Sequence, residues 1–281
     1  MRFRPGSLVA LFALLSACAT SPTGRHQLSL VSEKTAIEAS KESYVTQMCE
    51  LKSQGKLVTD PKVIARVDRI TSRLVAQAVM KRPESAKWEW SVEVIDDPMT
   101  VNAWCMAGGR MAVYTGLLQK VDPTDDELAQ VMGHEISHAL ANHTAERMSV
   151  AMATKAGVAL AGILSDNAVA AMSVTALAAS VAVELPNSRA AESEADEIGI
   201  ELAAKAGYNP NAAISLWQKM GKVGGETPPM LEHASEPRQS PGKACAARAE
   251  DDAVLSAEGR AADVPTQERS ASVALTGALS F

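Results

Sequence analysis

His134 and His138 stand four residues apart, with Glu135 directly after the first of them. In a helix, residues at this spacing project within about 40° of each other on adjacent turns, so two imidazoles can reach one metal ion. Glu135 lies about 100° around the helix from His134, where it cannot join the same chelate but can accept a proton from a water at the metal. The pattern predicts a zinc site that activates water for attack on a peptide carbonyl.

The short His-Glu-x-x-His pattern also occurs by chance, so its setting matters. Thr124 and Glu127 form a capping box, and Asp125 and Asp126 complement the positive end of a helix that begins there. Apolar residues then recur at helical spacing: Leu128, Val131, Met132, Ile136, Ala139 and Leu140. We predict one helix from near residue 125, through both histidines, to about Ser149.

A catalytic zinc site needs a third protein ligand and keeps one position for water. His143 points about 140° away from His138 and cannot share its metal. The metzincin arrangement is excluded because Ala141 and Thr144 stand where it requires Gly and His. Glu146 lies about 12 Å along the axis from His138, and we predict that it is a solvated charge.

A second acidic segment supplies candidates for the third ligand. Glu192 and Asp196 are four residues apart, so one carboxylate can bind zinc while the other accepts the N–H of a liganding histidine. Glu194 and Glu197 face elsewhere on the same helix. A solvated acidic face is the alternative for such a charge run, and the histidine motif upstream weighs against it.

Further elements are predicted around these two helices. Alternating apolar residues predict a strand over 88–95, and two more strands, over 101–105 and 110–115, flank a Gly108-Gly109 turn. Other helices are predicted over 32–51, 60–81 and 188–206, and after Pro210 as far as Gly221.

Residues 150–183 are rich in Ala, Gly and Val. Polar residues interrupt the apolar runs before they reach the roughly 20 residues of a membrane span. We predict two closely packed helices or a helical flap near the site, with contact to one membrane surface as an alternative.

The N-terminus resembles a lipoprotein signal peptide over residues 1–17, with a basic start and an apolar stretch over 8–15. Residues 15–18 (LSAC) resemble the bacterial lipobox, in which Cys18 would be lipidated; an ordinary secretory peptide is the alternative. Ala19 favours the periplasmic face of the outer membrane of a Gram-negative bacterium. The polar, Pro- and Gly-containing residues 18–30 are predicted to be a lipidated tether that anchors the chain to the membrane.

Three further cysteines, Cys49, Cys105 and Cys245, would lie in an oxidising compartment. Two alternatives explain Cys49 and Cys105 equally well. They form a disulfide bridge with each other, or both are buried free thiols. The net charge of −6, without clustered Lys and Arg, gives no reason to expect nucleic acid as a partner.

These motifs together resemble the HtpX-like metallopeptidase family, relatives of the CaaX prenyl proteases, and in particular its small periplasmic lipoprotein members. The resemblance extends over about residues 30–230. It rests on 101–104 (VNAW), 108–109 (GG), 113–118 (VYTGLL), 134–138 (HEISH), 188–196 (SRAAESEAD) and 206–210 (AGYNP). It implies a mainly α-helical α+β fold, with a zincin-like core of the gluzincin type over 31–230 and a small β-sheet beside the active-site helix.

The resemblance also implies roles for single residues. Glu192 would be the third ligand of one zinc ion per chain. Asp196 would lie next to the ligands without binding the zinc itself. Arg189 would lie in the cleft, with a salt bridge to a nearby Glu as the alternative. The strand near 111–114 would be the sheet edge that pairs with an extended substrate.

The C-terminal segment departs from this family. Relatives commonly continue into Ser-Thr-His-Pro and an Arg-containing helix, whereas residues 231–237 read LEHASEP. A reading-frame shift shortly before residue 231 and ordinary divergence both account for this difference. We expect residues 231–281 to be an atypical, poorly packed tail, and His233 is not carried over as a site residue.

The sequence therefore predicts a zinc-dependent endopeptidase, anchored to the outer membrane, that cleaves unfolded or misassembled envelope proteins. Two other classes remain: a chaperone-like assembly factor that retains a structural zinc site, and an anchored interaction protein without zinc.

Overall fold

The computed structural model describes residues 18–164 and 187–224. A hairpin of β1 (Cys18–Thr20) and β2 (His26–Leu28) precedes a three-stranded sheet of β3 (Ser91–Ile95), β4 (Ala103–Cys105) and β5 (Arg110–Tyr114). The helices are α1 (Glu33–Ser53), α2 (Pro61–Lys81), α3 (Asp125–Leu140), α4 (His143–Leu164), α5 (Arg189–Lys205) and α6 (Ala212–Gly224). This is the predicted mainly helical α+β class, which is confirmed.

The three-stranded sheet has the order β3, β5, β4, with β5 parallel to β3 and antiparallel to β4. Residues 110–114 therefore form the central strand, and the prediction that they are the substrate-binding edge is wrong. The edge strand next to the active-site helix α3 is β4. Tyr44 of α1 packs edge-on against Trp104 of β4, with ring centroids 5.8 Å apart.

Helix α3 begins as predicted. The Thr124 side chain accepts the backbone N–H of Glu127, and the Glu127 carboxylate accepts the N–H of Thr124, so the capping box is confirmed. The helix ends at Leu140, however, and the predicted continuation to Ser149 is wrong. Asn142 adopts a left-handed backbone with φ of 57°, which an asparagine tolerates, and α4 starts in a new direction at the next residue.

Helix α3 lies at the centre of the molecule and packs most extensively against α5. Both helices present small residues at their crossing, and the buried apolar core surrounds them. Its large, fully buried side chains include Ile70, Leu74, Met111, Leu117, Leu128, Met132, Ile136, Leu140, Ile198 and Leu202. The two elements that carry the candidate site residues are thus held by the core itself.

Residues 18–30 differ from the predicted free tether. Their hairpin packs on α4, and Arg25 forms ion pairs with Glu146 of α4 and Glu194 of α5. Gln27 also donates from Nε2 to the Ala141 carbonyl, 2.7 Å away, in the turn after α3. A tether is expected to be solvated, whereas these polar side chains find charged and backbone partners in the domain.

Cys49 is disulfide-bonded, and Cys105 is a buried free thiol. The two residues are therefore neither bridged to each other nor both free, so both predicted alternatives are wrong. Helix α4 covers the first part of the segment predicted over 150–183. The rest of that segment, the signal peptide and the atypical tail with Cys245 and His233 lie outside the described residues. Across the ranges described, no helix combines the length and apolarity needed to cross a bilayer.

Candidate metal centre

The structure brings His134, His138 and Glu192 together, with one donor atom of each within 4.8 Å of the other two. The Nε2 atoms of the histidines are 2.9 Å apart. Glu192 carboxylate oxygens lie 3.3 Å from Nε2 of His134 and 3.7 Å from Nε2 of His138. Ligands of a tetrahedral zinc ion are about 3.4 Å from one another at ordinary bond lengths, so the three separations fit this metal.

The hydrogen bonds on the far side of each imidazole support the same interpretation. Nδ1 of His134 is 2.8 Å from Oδ1 of Asp196, and a carboxylate there requires a proton on Nδ1. In the neutral form of His134 the lone pair is therefore on Nε2, which lies 2.9 Å from Nε2 of His138. A cation between the two nitrogens is the group that satisfies this arrangement.

Charge around His134 is strongly negative. Burial alone would lower the pKa of this imidazole, but hydrogen bonds to Asp196 and Glu192 outweigh it and raise the pKa to about 9. A metal ion that binds here supplies the positive charge that a proton supplies otherwise, so the site favours a cation in either form.

Glu135 is buried beside the ligands, and its carboxylate accepts the backbone N–H of Cys105 in β4. Burial raises the pKa of Glu135 to about 8, and the nearby Glu192 carboxylate adds to the effect, while His134 and Arg147 oppose it. In the metal-free site Glu135 therefore holds a proton more readily than an ordinary glutamate, and a bound cation would favour its carboxylate form.

His143 does not share the metal site, as predicted, but it contacts a ligand. Its Nδ1 lies 2.7 Å from Nδ1 of His138, and its Nε2 lies 3.2 Å from Oε2 of Glu194. Glu194 is buried and also accepts a hydrogen bond from Arg25 Nε, 2.8 Å away. The sequence alone predicts no role at the metal centre for His143, Glu194 or Arg25. The available signal was Asn142, whose left-handed turn aims His143 back towards α3.

The remaining predicted site residues are more exposed. Arg189 is the exposed first residue of α5, and no ion pair joins it to other parts of the chain that the structure describes. Asp196 touches His134 but keeps 47% of its side-chain surface exposed. Glu146, predicted to be solvated, is instead paired with Arg25 through two hydrogen bonds of 2.7 and 2.6 Å, so that prediction is wrong.

Comparison with known proteins places this geometry in a family. The pattern that defines Peptidase family M48 matches residues 61–255, more than half of the chain and all the residues of the metal centre. The chain belongs to peptidase family M48. This chain is 38% identical over 151 residues to the mitochondrial metalloendopeptidase OMA1 of Arabidopsis thaliana. The match covers 54% of this chain and 29% of that protein.

Two further relatives are also named as proteolytic enzymes. The mitochondrial metalloendopeptidase OMA1 of Schizosaccharomyces pombe is 34% identical over 60% of this M48 chain and 47% of its own length. The putative beta-barrel assembly-enhancing protease of Vibrio cholerae is 31% identical over 64% of this chain and 38% of its own length. The chain thus spans less than half the length of these relatives.

Proposed function

We propose that this chain is an active zinc-dependent endopeptidase in which His134, His138 and Glu192 hold one zinc ion and Glu135 is the general base. The observation that carries the proposal is the meeting of two imidazole nitrogens and one carboxylate within 4.8 Å, beside a buried glutamate. Among the three classes considered from the sequence, only an endopeptidase uses all four groups.

Zinc, when bound, polarises the substrate carbonyl and makes water more acidic. The Glu135 carboxylate, oriented by the Cys105 N–H, takes a proton from the attacking water. The protonated Glu135 can then pass that proton to the leaving amine. Asp196 holds His134 in the tautomer whose Nε2 faces the metal position. The side chain of Glu192 is 28% exposed, against 5% for His134 and 7% for His138, so Glu192 is the most accessible of the three ligands.

An extended substrate would pair with β4, because this strand is the sheet edge beside α3. Backbone pairing binds many sequences with little side-chain selectivity. It also suits an enzyme for unfolded chains, since a folded protein keeps its backbone groups paired internally.

The proposed setting is the periplasmic face of the outer membrane, with a lipid anchor on Cys18, as in the small lipoprotein members of the HtpX-like group. The proposed substrates are unfolded or misassembled envelope proteins. The lipobox-like residues 15–18 support the anchor, and the name of the Vibrio cholerae relative supports envelope substrates. Membrane fractionation of wild type and Cys18→Ser tests the anchor: the variant should move to the soluble fraction, and unchanged membrane association would contradict it.

The central experiment compares zinc content and casein cleavage of wild type, Glu135→Gln and Glu197→Gln. Glu135→Gln should retain zinc and lose at least 100-fold in cleavage rate, since it removes the proton acceptor alone. Glu197 is an exposed glutamate on α5 and serves as the matched control, so its variant should cleave normally. Equal activity of Glu135→Gln and wild type would refute the mechanism.

The same variants separate an assembly factor with a structural zinc site from an enzyme. If the chain acts as a chaperone, Glu135→Gln should keep its cellular function, whereas His134→Ala should lose zinc and destabilise the domain. Loss of function in both variants identifies the enzyme, because only hydrolysis needs Glu135.

A further inference from the structure

A row of hydrogen-bonded polar groups leads from the N-terminal hairpin to the metal centre. Arg25 of the hairpin donates from Nε to Glu194 at 2.8 Å, and its other two nitrogens donate to Glu146. Thr23 donates to the second oxygen of Glu194 at 2.6 Å. The side chain of Glu194 is only 3% exposed, so this carboxylate depends on the hairpin for its charge compensation.

The next group in the row is His143, which is 1% exposed. A neutral histidine donates from one ring nitrogen and accepts at the other. Because Glu194 is a carboxylate with Arg25 beside it, His143 donates from Nε2 to Glu194 and must accept at Nδ1. The atom that faces this acceptor is Nδ1 of His138, 2.7 Å away.

The direction of these bonds determines the state of His138. With its proton on Nδ1, directed at His143, His138 has its lone pair on Nε2, which faces the metal position. Nδ2 of Asn187 also lies near Nδ1, but at 3.5 Å it is at the limit of a hydrogen bond. His143 therefore accepts the Nδ1 proton of His138, just as Asp196 accepts the Nδ1 proton of His134.

We propose that His143, Glu194 and Arg25 are positioning residues of the metal centre, and that the N-terminal hairpin therefore completes the site. The proposal rests on the proposed function for the identity of the metal ligands. Its consequence is that the segment after Cys18 acts on metal affinity across more than a hundred residues of sequence. Groups behind metal-bound histidines typically contribute 10- to 100-fold in metal affinity.

The test measures zinc affinity by competition with a chelator in the full chain, and compares His143→Leu with His143→Asn. Leucine has a volume similar to that of histidine but lacks the Nδ1 acceptor that faces His138. His143→Leu should therefore weaken zinc binding 10- to 100-fold. The amide oxygen of asparagine can take the place of Nδ1, so His143→Asn should recover most of the loss. The absorption spectrum of the cobalt-substituted protein should shift in His143→Leu, because the imidazole of His138 is no longer held in place.

Arg25→Ala and Arg25→Lys extend the test to the hairpin. Alanine should weaken zinc binding several-fold, and lysine, which keeps the charge next to Glu194, should restore part of it. Arg66→Ala is the matched control: Arg66 pairs with Asp125, about 13 Å along α3 from His134, and its loss should leave zinc affinity unchanged.

Thermal melting of the metal-free variants separates positioning from stability. A lower melting temperature with wild-type zinc affinity and cobalt spectrum in both His143→Leu and Arg25→Ala would overturn the proposal. If His143→Leu fails to fold, Arg25→Ala still decides through its zinc affinity: a several-fold loss relative to Arg66→Ala supports the proposal, and an affinity equal to that of Arg66→Ala overturns it. If wild type binds zinc but cleaves nothing, the proposed function fails and this inference stands.

Discussion

Gly133 and Gly199 lie against each other where α3 crosses α5. A Cβ atom on Gly133 would stand 2.8 Å from the carbonyl oxygen of Gly199, and one on Gly199 would stand 2.7 Å from the backbone nitrogen of His134. The two backbones are therefore in direct contact beside the first histidine of the metal centre. Since Glu192 lies two turns before Gly199 on the same helix, this close approach brings a carboxylate of α5 within reach of both imidazoles of α3.

We therefore expect Gly199→Ala to force α5 away from α3. The variant should lose about 1–3 kcal/mol in free energy of unfolding, as overpacked cores do, and it should also bind zinc more weakly because Glu192 moves with its helix. Denaturant unfolding and chelator competition measure the two effects. Gly221→Ala is the control, since a Cβ there meets nothing within 4 Å; it should be neutral or stabilise α6 by up to about 1 kcal/mol. Wild-type zinc affinity in Gly199→Ala would show that the close approach of α3 and α5 does not determine the position of Glu192 in the metal centre.

Asp196 gives a second prediction, because it contacts His134 and not the metal position. Asp196→Asn keeps the shape of the side chain but removes the negative charge that holds the Nδ1 proton. We expect a 10- to 100-fold loss of zinc affinity, measured by chelator competition. Glu197→Gln, on the exposed face of the same helix, should bind zinc as wild type does. Equal zinc affinity in Asp196→Asn and Glu197→Gln would show that Asp196 does not contribute to zinc binding.

The sequence predicted those parts of the site that depend on positions within one helix. The four-residue spacings of His134 with His138, and of Glu192 with Asp196, are local geometry, and the structure reproduces them. The capping box at Thr124 is likewise a local pattern, and it is confirmed.

The parts that failed depend on contacts between distant segments. Arg25 and Glu194 are 169 residues apart, and no periodicity connects a hairpin near the N-terminus with helix α5. The sheet order is a property of pairing between strands, so the sequence could not show that β5 lies in the centre. The end of α3 depends on one left-handed residue, Asn142, within a segment whose apolar pattern suits a continuous helix.

Glu127 provides a prediction for acid stability. Burial opposes its charge, but hydrogen bonds from Lys219, Ser215 and the N–H of Thr124 outweigh this and lower its pKa from the ordinary 4.5 to about 2. A lowered pKa in the folded state stabilises the protein above pH 4.5, and this stabilisation is lost as the pH falls towards 2.

Glu127→Gln should therefore be less stable than wild type by up to about 3 kcal/mol at pH 7, and the difference should shrink steadily below pH 4.5. Urea unfolding of both proteins between pH 2 and pH 7 measures it. Because wild type and variant share every other carboxylate, including the buried Glu194, their difference isolates Glu127. A difference that is independent of pH would mean that lost packing, and not charge, causes the destabilisation.

Zinc affinity should itself depend on pH. In the metal-free protein the pKa of His134 is about 9, so the imidazole is protonated at pH 7 and must lose this proton before its Nε2 can bind a metal. The proton stabilises the metal-free fold below the ordinary pKa of 6.5, and this stabilisation is lost as the pH rises through 9. Zinc affinity should consequently rise about tenfold per pH unit between pH 7 and 9 if one proton is released.

Calorimetric titration with zinc in two buffers of different ionisation enthalpy measures the number of protons released at each pH. Asp196→Asn should release fewer protons than wild type at pH 7, because the hydrogen bond to Asp196 is a main cause of the raised pKa of His134. Glu197→Gln should release as many as wild type does. Zinc binding without proton release in the wild-type protein at pH 7 would mean that His134 is already neutral, with its Nε2 lone pair free for the metal.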